Sequence, residues 1–391
     1  MIINLFDDTA RLSLLPLTFT RPVADLRVGI LTIAQKWAAC FNAETGFSTI
    51  AYLAEKYKPQ PGALLFINGS ICPDDGLQDA ILQLKPGEAL KKGELLIAYL
   101  AAETMPFEAA LVNTFAIKQY IAEFVRLVYP EDIFRLNDIE LRKDYLLLTH
   151  GRQSAALSNT NTLLGENIFI EEGAQVECST FNSLNGPIYI GKNSQVWEGS
   201  HIRGSFALCE NSQVKMGTKI YGQTTIGPFC RVGGEINNAV IWGHSSKGHE
   251  GYLGNAVIGQ WCNIGADSNN SNLKNNYAEV KLWDYEKEGF RKTGLQFCGL
   301  IMADHAKCGI NTMFNTGTVA GVSANIFGPG FPRNFIPDFA WGGAQGFETY
   351  ALNKMFETAK KVYERRDLSF DEQEKAILTK VFELTQTHRR F

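Results

Sequence analysis

The sequence predicts three parts: an α/β domain over residues 1–150, a left-handed parallel β-helix of six-residue repeats over 151–335, and a helical tail over 336–391. Two observations carry the prediction. In the first 150 residues, apolar runs of strand length alternate with stretches of helical spacing. From about residue 164 the chain repeats itself every six residues.

In the first part, Ile2–Phe6 is a short apolar run that ends in Asp7-Asp8. Leu64–Ile67 and Leu95–Leu100 read as buried strands. Ile30–Phe41 has helical spacing, and residues 115–128 and 131–143 are expected to be helical. The mixture suits a nucleotide-binding sheet whose strand-end loops carry the site.

The repeat begins at Leu164, Ile170 and Val176. After a short loop come Ile190, Val196, Ile202, Leu208, Val214, Ile220, Ile226 and Val232, and Ile258 and Ile264 resume the phase. Met302, Cys308, Phe314, Ala320 and Ile326 complete it. Four positions after most of these stands a small residue, as at Ser194, Ser200, Ser212, Thr218, Cys230 and Ala306, with Phe206 the exception. Each hexad reads as one short strand and one corner, and three hexads close a triangular coil. The aliphatic residue points inward and stacks on its equivalents above and below. The small residue also faces inward, where a large one does not fit. Glycine directly after the aliphatic position, as at Gly191 and Gly227, is expected to relax the corners. A coil buries its faces only by stacking, so the unit is a solenoid.

Residues 233–251 and 267–300 break the period and read as excursions, where function gathers on a rigid scaffold. In the tail, residues 348–365 and 370–386 have helical spacing, and Ser369 with Glu372 gives a capping-box signal.

Composition excludes several classes. The net charge is −4, so no general basic field draws nucleic acid or a membrane surface. No run approaches the ~20 apolar residues that span a bilayer. The opening MIINLFDD has no cationic start, so no signal peptide is expected. The eight cysteines form no C-x-x-C pair, so neither a zinc site nor a disulfide framework is expected, and a reducing cytoplasm is the simplest compartment.

One segment carries chemistry. Ser245-Ser246-Lys247-Gly248-His249-Glu250-Gly251-Tyr252-Leu253-Gly254-Asn255-Ala256-Val257-Ile258-Gly259 is followed by Asn263-Ile264-Gly265-Ala266. It resembles the acetyltransferase part of the bifunctional glucosamine-1-phosphate acetyltransferase/N-acetylglucosamine-1-phosphate uridyltransferases, whose motif is K-A-G-H-x-x-Y-L-G-x-A-x-I-G followed by N-I-G-A-G-T. The resemblance implies that His249 is the general base. It implies substrate contacts for Tyr252, Asn263 and Asn272, and a place near the acetyl thioester for the Ala266 backbone N–H. The residue types suit the task. A sugar ammonium must lose a proton before it attacks, and histidine titrates near neutral pH. A thioester oxygen that gains charge needs a fixed donor. The bland readings are a solvated loop histidine, a coil tyrosine and a turn asparagine. The chain is shorter than the family after Thr225–Arg231 and lacks its phosphate-gripping lysine. Lys247, Lys274 or Arg291 are the cations left to hold a sugar phosphate, and Lys247 reads equally as a surface cation.

The loop Arg11-Leu12-Ser13-Leu14-Leu15-Pro16-Leu17-Thr18-Phe19-Thr20-Arg21-Pro22 resembles the signature of sugar-nucleotide pyrophosphorylases, G-x-G-T-R-L-x-P-L-T-x-x-x-P-K. Arg11 falls on the signature arginine. Asp7-Asp8-Thr9-Ala10 replaces the phosphate-cradling glycines, and Val23 replaces the lysine. Asn68-Gly69-Ser70 stands where the family has Gly-Asp, whose aspartate binds Mg²⁺. Two readings stand open. In one, Arg11, Arg21 and Arg27, with Asn68 and Gly69, hold UTP, and Asp7 and Asp8 hold Mg²⁺. In the other the domain is degenerate.

The resemblance thus implies an acyltransferase that N-acetylates an amino-sugar phosphate with acetyl-CoA as co-substrate, in UDP-N-acetylglucosamine synthesis for the cell wall. A uridylyltransferase step and a homotrimer with sites between subunits go with it. The alternatives are acetyl transfer alone, or a non-catalytic sugar-nucleotide sensor or scaffold.

Overall fold

The computed structural model describes residues 1–104, 107 and 114–391. By contact the chain divides into two compact units, Met1–Arg27 with Leu31–Tyr129, and Val28–Ile30 with Pro130–Phe391.

The first unit is built on six strands: β1 (Ile2–Phe6), β2 (Glu44–Ser48), β3 (Leu65–Asn68), β4 (Glu88–Lys92), β5 (Leu95–Leu100) and β6 (Ala116–Gln119). Their order is β2-β1-β3-β5-β4-β6. β1 is parallel to both β2 and β3, and β5 runs antiparallel to β3 and β4. All of β3 is buried, as befits a strand covered on both faces. The expected helix is Ile33–Phe41, opened by a capping box of Thr32 and Gln35. Its Trp37 is fully buried and donates its indole N–H to the Ile71 carbonyl at 2.8 Å.

Residues 115–128 are not helical. The Ile117, Ile121 and Val125 spacing imitates a helix, but Ile121 is 90% exposed, so no apolar face is buried. The backbone there is satisfied instead by β6 pairing with β4. Residues 131–143 break into helices Asp132–Arg135 and Asn137–Thr149, which belong to the second unit.

The second unit is a left-handed parallel β-helix of about ten turns with helices at its end, the hexapeptide-repeat architecture expected. It has three faces. Face A stacks Ile190, Leu208 and Ile226, and continues through Ile241, Ile258, Met302, Ala320 and Ile336. Face B stacks Val176, Val196, Val214 and Val232, and later Cys308 and Ile326. Face C stacks Phe181, Ile202, Ile220, Ile236 and Leu253. These side chains are at most a few per cent exposed and form one continuous core. Each of the Val, Leu, Ile, Phe and Met side chains among them contributes about 1.5–3 kcal/mol of burial. The small inward residues are largely hydroxylic, and their hydroxyls donate to corner carbonyls. Ser212 Oγ lies 2.7 Å from Gly227 O, and Ser245 Oγ 2.8 Å from Gly259 O.

The glycines after the aliphatic positions act differently from the expectation. They are not the left-handed residues of the corner. A Cβ on Gly227 would lie 1.2 Å from the Trp242 carbonyl oxygen, so glycine here permits close approach of the next coil. The left-handed conformation falls two residues later, at Asn193, Asn211, Phe229, His244, Trp261 and His305.

Residues 233–251 are likewise no excursion. Glu235–Ile241 is one strand that pairs with faces C and A of the coil below, so this turn is only shortened. The excursion that does leave the coils lies between Asn269–Asn270 and Leu300–Met302 and holds an antiparallel hairpin, Lys281–Asp284 with Gly289–Lys292. After Phe335–Ile336 come a second hairpin and helices Leu352–Glu364 and Glu372–Leu384. The cap of the last helix is Asp371, which accepts from Glu374 N at 2.8 Å, rather than Ser369. Among the described residues no helix is long and apolar enough to cross a membrane.

Candidate active site

The sequence motif winds round one corner of the solenoid. Ser246–Lys247 is a face B strand, and Lys247 pairs in register with Val232, an inward position. Its ammonium is therefore turned into the coil and not toward solvent. Nζ donates to Gly233 O at 2.8 Å and to His249 O at 2.9 Å, and the residue is 2% exposed. Burial pushes its pKa down to about 8.

His249 follows at the exposed corner, and its imidazole makes no hydrogen bond among the described residues. Ala266 occupies the same corner one coil on. Its carbonyl accepts from Asn311 N at 2.8 Å, while its own N–H has no acceptor among the described residues. An unpartnered imidazole and a free backbone donor thus share one edge of the prism.

Past the corner, Tyr252–Ile258 begins on face C and runs on to face A. Tyr252 lies flat along the strand. A Cβ on Gly254 would sit 2.2 Å from its hydroxyl oxygen, so the phenol occupies the space that glycine leaves. Asn272, from the start of the excursion, donates its amide to Tyr252 Oη at 2.9 Å and to Asn255 Oδ1 at 2.8 Å. Burial raises the Tyr252 pKa. Register puts Glu235 beside Tyr252, and Tyr221 donates its hydroxyl to Glu235. That bond raises the Tyr221 pKa to about 12. Tyr221, Glu235, Asn237 and Asn255 are members of this polar face that sequence reasoning missed. Asn255 lies on the strand of Tyr252 itself, whereas Glu235 and Asn237 lie one coil away and Tyr221 two, and only strand register brings those three to Tyr252.

Other candidates lie apart from this face. Asn263 is exposed on face B, paired with Ser246 and Lys307. Lys274 Nζ donates to the Glu279 carbonyl at 2.9 Å. Arg291 is clamped by both oxygens of Glu131, each at 2.6 Å, with Asp284 at 3.6 Å. That bidentate pair leaves the guanidinium little capacity for a sugar phosphate.

In the first unit the carboxyl ends of β1 and β3 lie side by side and carry Asp7-Asp8 and Asn68-Gly69. Such an end is where open α/β sheets bind ligands. A cavity of about 710 Å³ lies beside Asp7, Ser48 and Thr49, but the charged side chains of this end are partnered within the protein. Asp7 accepts from Val23 N at 2.8 Å and from Thr49 Oγ1 at 2.5 Å. Asp8 accepts from Ala10 N at 2.9 Å, Asn68 Nδ2 at 2.8 Å and Arg126 Nη2 at 2.7 Å. Arg11 is buried and donates to Thr18 O and to Tyr52 Oη. Arg21 donates to Asp25 at 2.9 Å, and Gly69 N–H to Phe6 O at 2.8 Å. Burial raises the Asp7 pKa, which favours its neutral form. Among the described residues no three His, Cys, Asp or Glu gather as a metal would need. The Arg126 guanidinium on Asp8, 2.7 Å away, would repel a divalent cation, and Asp7 is disfavoured as a carboxylate, so this donor set does not fit Mg²⁺.

Residues 3–153 match the sugar nucleotidyl transferase family model. The match reaches across all six strands of the sheet and into the chain that leads to the solenoid. No curated protein matches the chain. Solved structures with similarity include a point mutant of AntD, an N-acyltransferase from Bacillus cereus, in complex with dTDP and coenzyme A. It is 12% identical, with 55% of this chain and 100% of that one covered and a TM-score of 0.23. Arabidopsis UDP-N-acetylglucosamine acyltransferase is 14% identical, with 60% and 94% covered and a TM-score of 0.24.

Proposed function

We propose that the solenoid transfers an acetyl group from acetyl-CoA to the amine of an amino-sugar phosphate, glucosamine 1-phosphate being the first candidate, with His249 as general base. The observation that carries this reading is the shared corner: an exposed imidazole without a partner, the free N–H of Ala266 one coil on, and the polar face of Tyr252 and Asn272 beside them.

The amine nitrogen attacks the thioester carbonyl carbon and the C–N bond forms. His249 accepts the proton that the nitrogen loses. The carbonyl oxygen gains charge and takes a hydrogen bond from the Ala266 N–H. The C–S bond then breaks, and the imidazolium returns its proton to the departing thiolate. Asn272, itself held by Asn255, orients the Tyr252 hydroxyl toward the sugar. Asn263 stands on a different face of the same prism, so its substrate role requires a neighbouring copy. A homotrimer with the site between subunits meets that requirement. Acetyl-CoA as co-substrate goes with a cytoplasmic location.

Uridylyl transfer by the first unit has less support. The donor set there does not fit Mg²⁺, and no step is derived through it. The reading favoured is acetyl transfer with an N-terminal domain kept for its fold.

The test follows thiol release from acetyl-CoA with glucosamine 1-phosphate, and pyrophosphate release from UTP with N-acetylglucosamine 1-phosphate. Thiol release that depends on His249, without pyrophosphate release, is the expected result. Thiol release unchanged in His249→Ala would overturn the assignment. Pyrophosphate release with Mg²⁺ would restore the bifunctional reading. Light scattering at micromolar concentration that gives a monomer would remove the shared site.

A further inference from the structure

A cavity of about 610 Å³ lies in the second unit, formed by the excursion, the last strand of face A with the residues before it, and the C-terminal segment. The excursion hairpin supplies Trp283 and Phe290, the solenoid exit Arg333 and Phe335, and the C-terminal segment His388 and Arg390. Its size falls within the range of small-ligand pockets.

The wall is aromatic and rigid. Trp283 stacks on Phe335 with centroids 4.1 Å apart, and Phe290 meets Trp283 edge-on at 5.4 Å. Phe290 is nevertheless 48% exposed, so one ring of this wall is open to the cavity. The Trp283 indole N–H is buried without an acceptor among the described residues. An indole N–H in that state costs free energy, which a small shift of the ring toward the cavity would relieve.

The rim is cationic. The Arg333 guanidinium lies 5.2 Å over Phe347 and 5.5 Å over Phe391, and makes no ion pair among the described residues. Arg390 makes none either. Burial lowers the Arg333 pKa, a sign that its charge is under-solvated. His388, also lowered by burial, adds no fixed charge. The carboxylate on the lining is Glu288, exposed at the hairpin turn. Two guanidiniums that form no ion pair, against the single exposed carboxylate of Glu288, beside an exposed ring complement an anion joined to a planar group. Guanidinium grips phosphate through paired N–H donors, and flat bases stack on aromatic faces.

We propose that this cavity binds a phosphorylated nucleoside, with the base on the Phe290–Trp283 wall and phosphate on Arg333 and Arg390. The nucleoside phosphate has two sources, the adenosine 3′,5′-bisphosphate end of coenzyme A or a free nucleotide. The proposal does not depend on acetyl transfer, because binding is read without a thioester.

The experiment titrates the full chain with adenosine 3′,5′-bisphosphate, AMP, UMP, adenosine and inorganic phosphate, by calorimetry and indole fluorescence. At least one nucleotide is expected to bind below millimolar Kd, at least tenfold tighter than adenosine or phosphate alone. Arg390→Gln, a change at an exposed residue, and Arg333→Gln are each expected to weaken it at least fivefold, with the far-ultraviolet CD spectrum unchanged. Bisphosphate tighter than both monophosphates assigns the site to coenzyme A, and the reverse assigns it to a free nucleotide. Phosphate that binds as tightly as every nucleotide, or affinities unchanged in both arginine variants, would overturn the proposal. So would the absence of binding by any probe at 5 mM, a ceiling about fivefold above millimolar Kd.

Discussion

The strand-end loops of the first unit and the corner at His249 both gather polar groups, but they differ in satisfaction. At the strand ends every oxygen of Asp7 and Asp8 has a donor, and Arg11 and Arg21 are buried in bonds to the chain itself. At the corner the imidazole and the Ala266 N–H are left open. A network closed on itself stabilises a fold. Open, pre-placed groups are available to a substrate, at some expense in stability. The difference separates a structural role from a chemical one more sharply than residue type does.

The strongest way to break the comparison is a pair of substitutions read in two assays. His249→Ala is expected to lower acetyl transfer by about 10²–10⁴-fold and leave the thermal midpoint almost unmoved, because it removes an exposed base. Asp8→Ala removes the carboxylate that pairs with Arg126 Nη2, while Asn68 Nδ2 keeps the Leu96 carbonyl at 3.0 Å. It is expected to cost about 3 kcal/mol in denaturant unfolding of the first unit and to spare acetyl transfer. If the two effects exchange assays, the distinction between open and closed networks fails.

Lys247 sharpens the contrast, since it is a closed group placed inside the open site. Its pKa is pushed down to about 8 in the fold against 10.5 when unfolded. Below pH 8 both states are charged and the fold bears the full desolvation cost. Between pH 8 and 10.5 the unfolded chain holds more protons, so this lysine makes stability rise with pH, by on the order of 3 kcal/mol. Lys307, pushed down to about 8 as well, acts in the same sense. Buried Cys262 and Cys308 act against it above their ordinary value of 9.0, because their thiols are raised. The readable quantity is therefore wild type minus Lys247→Met, which is expected to climb across this window. A flat difference would mean that the ammonium is not buried. The variant also leaves the His249 carbonyl without its Nζ donor. A fall in kcat greater than the rise in KM would show that the lysine positions the corner.

The fold was legible where sequence and geometry share a period. Val196, Val214 and Val232 stand 18 residues apart and pair in strict register. It was illegible where a coil shortens. From Val232 to Ile236 is four residues and from Ile236 to Ile241 five, which breaks the hexad without breaking the solenoid. Lys247 then occupies an inward position that no hydrophobic pattern would mark. The motif named His249 and Tyr252, because their neighbours are local. Glu235 and Tyr221 belong to other coils and carry no local signal. In the first unit the gap is wider still, for Asp8 meets Arg126 across 118 residues.

The smallest expected effect tests the polar face itself. Tyr252→Phe keeps the ring over Gly254 and removes only the hydroxyl. Asn272 then loses one acceptor but keeps Asn255 Oδ1 at 2.8 Å. A net loss of one neutral hydrogen bond is worth about 1 kcal/mol, so stability should fall little. If the hydroxyl meets the sugar, KM for the amino-sugar phosphate should rise about fivefold and KM for acetyl-CoA should hold. Should both Michaelis constants stay unchanged, Tyr252 belongs with Asp8 among the closed groups. The substrate face would then have to be sought on Asn263 and the neighbouring copy.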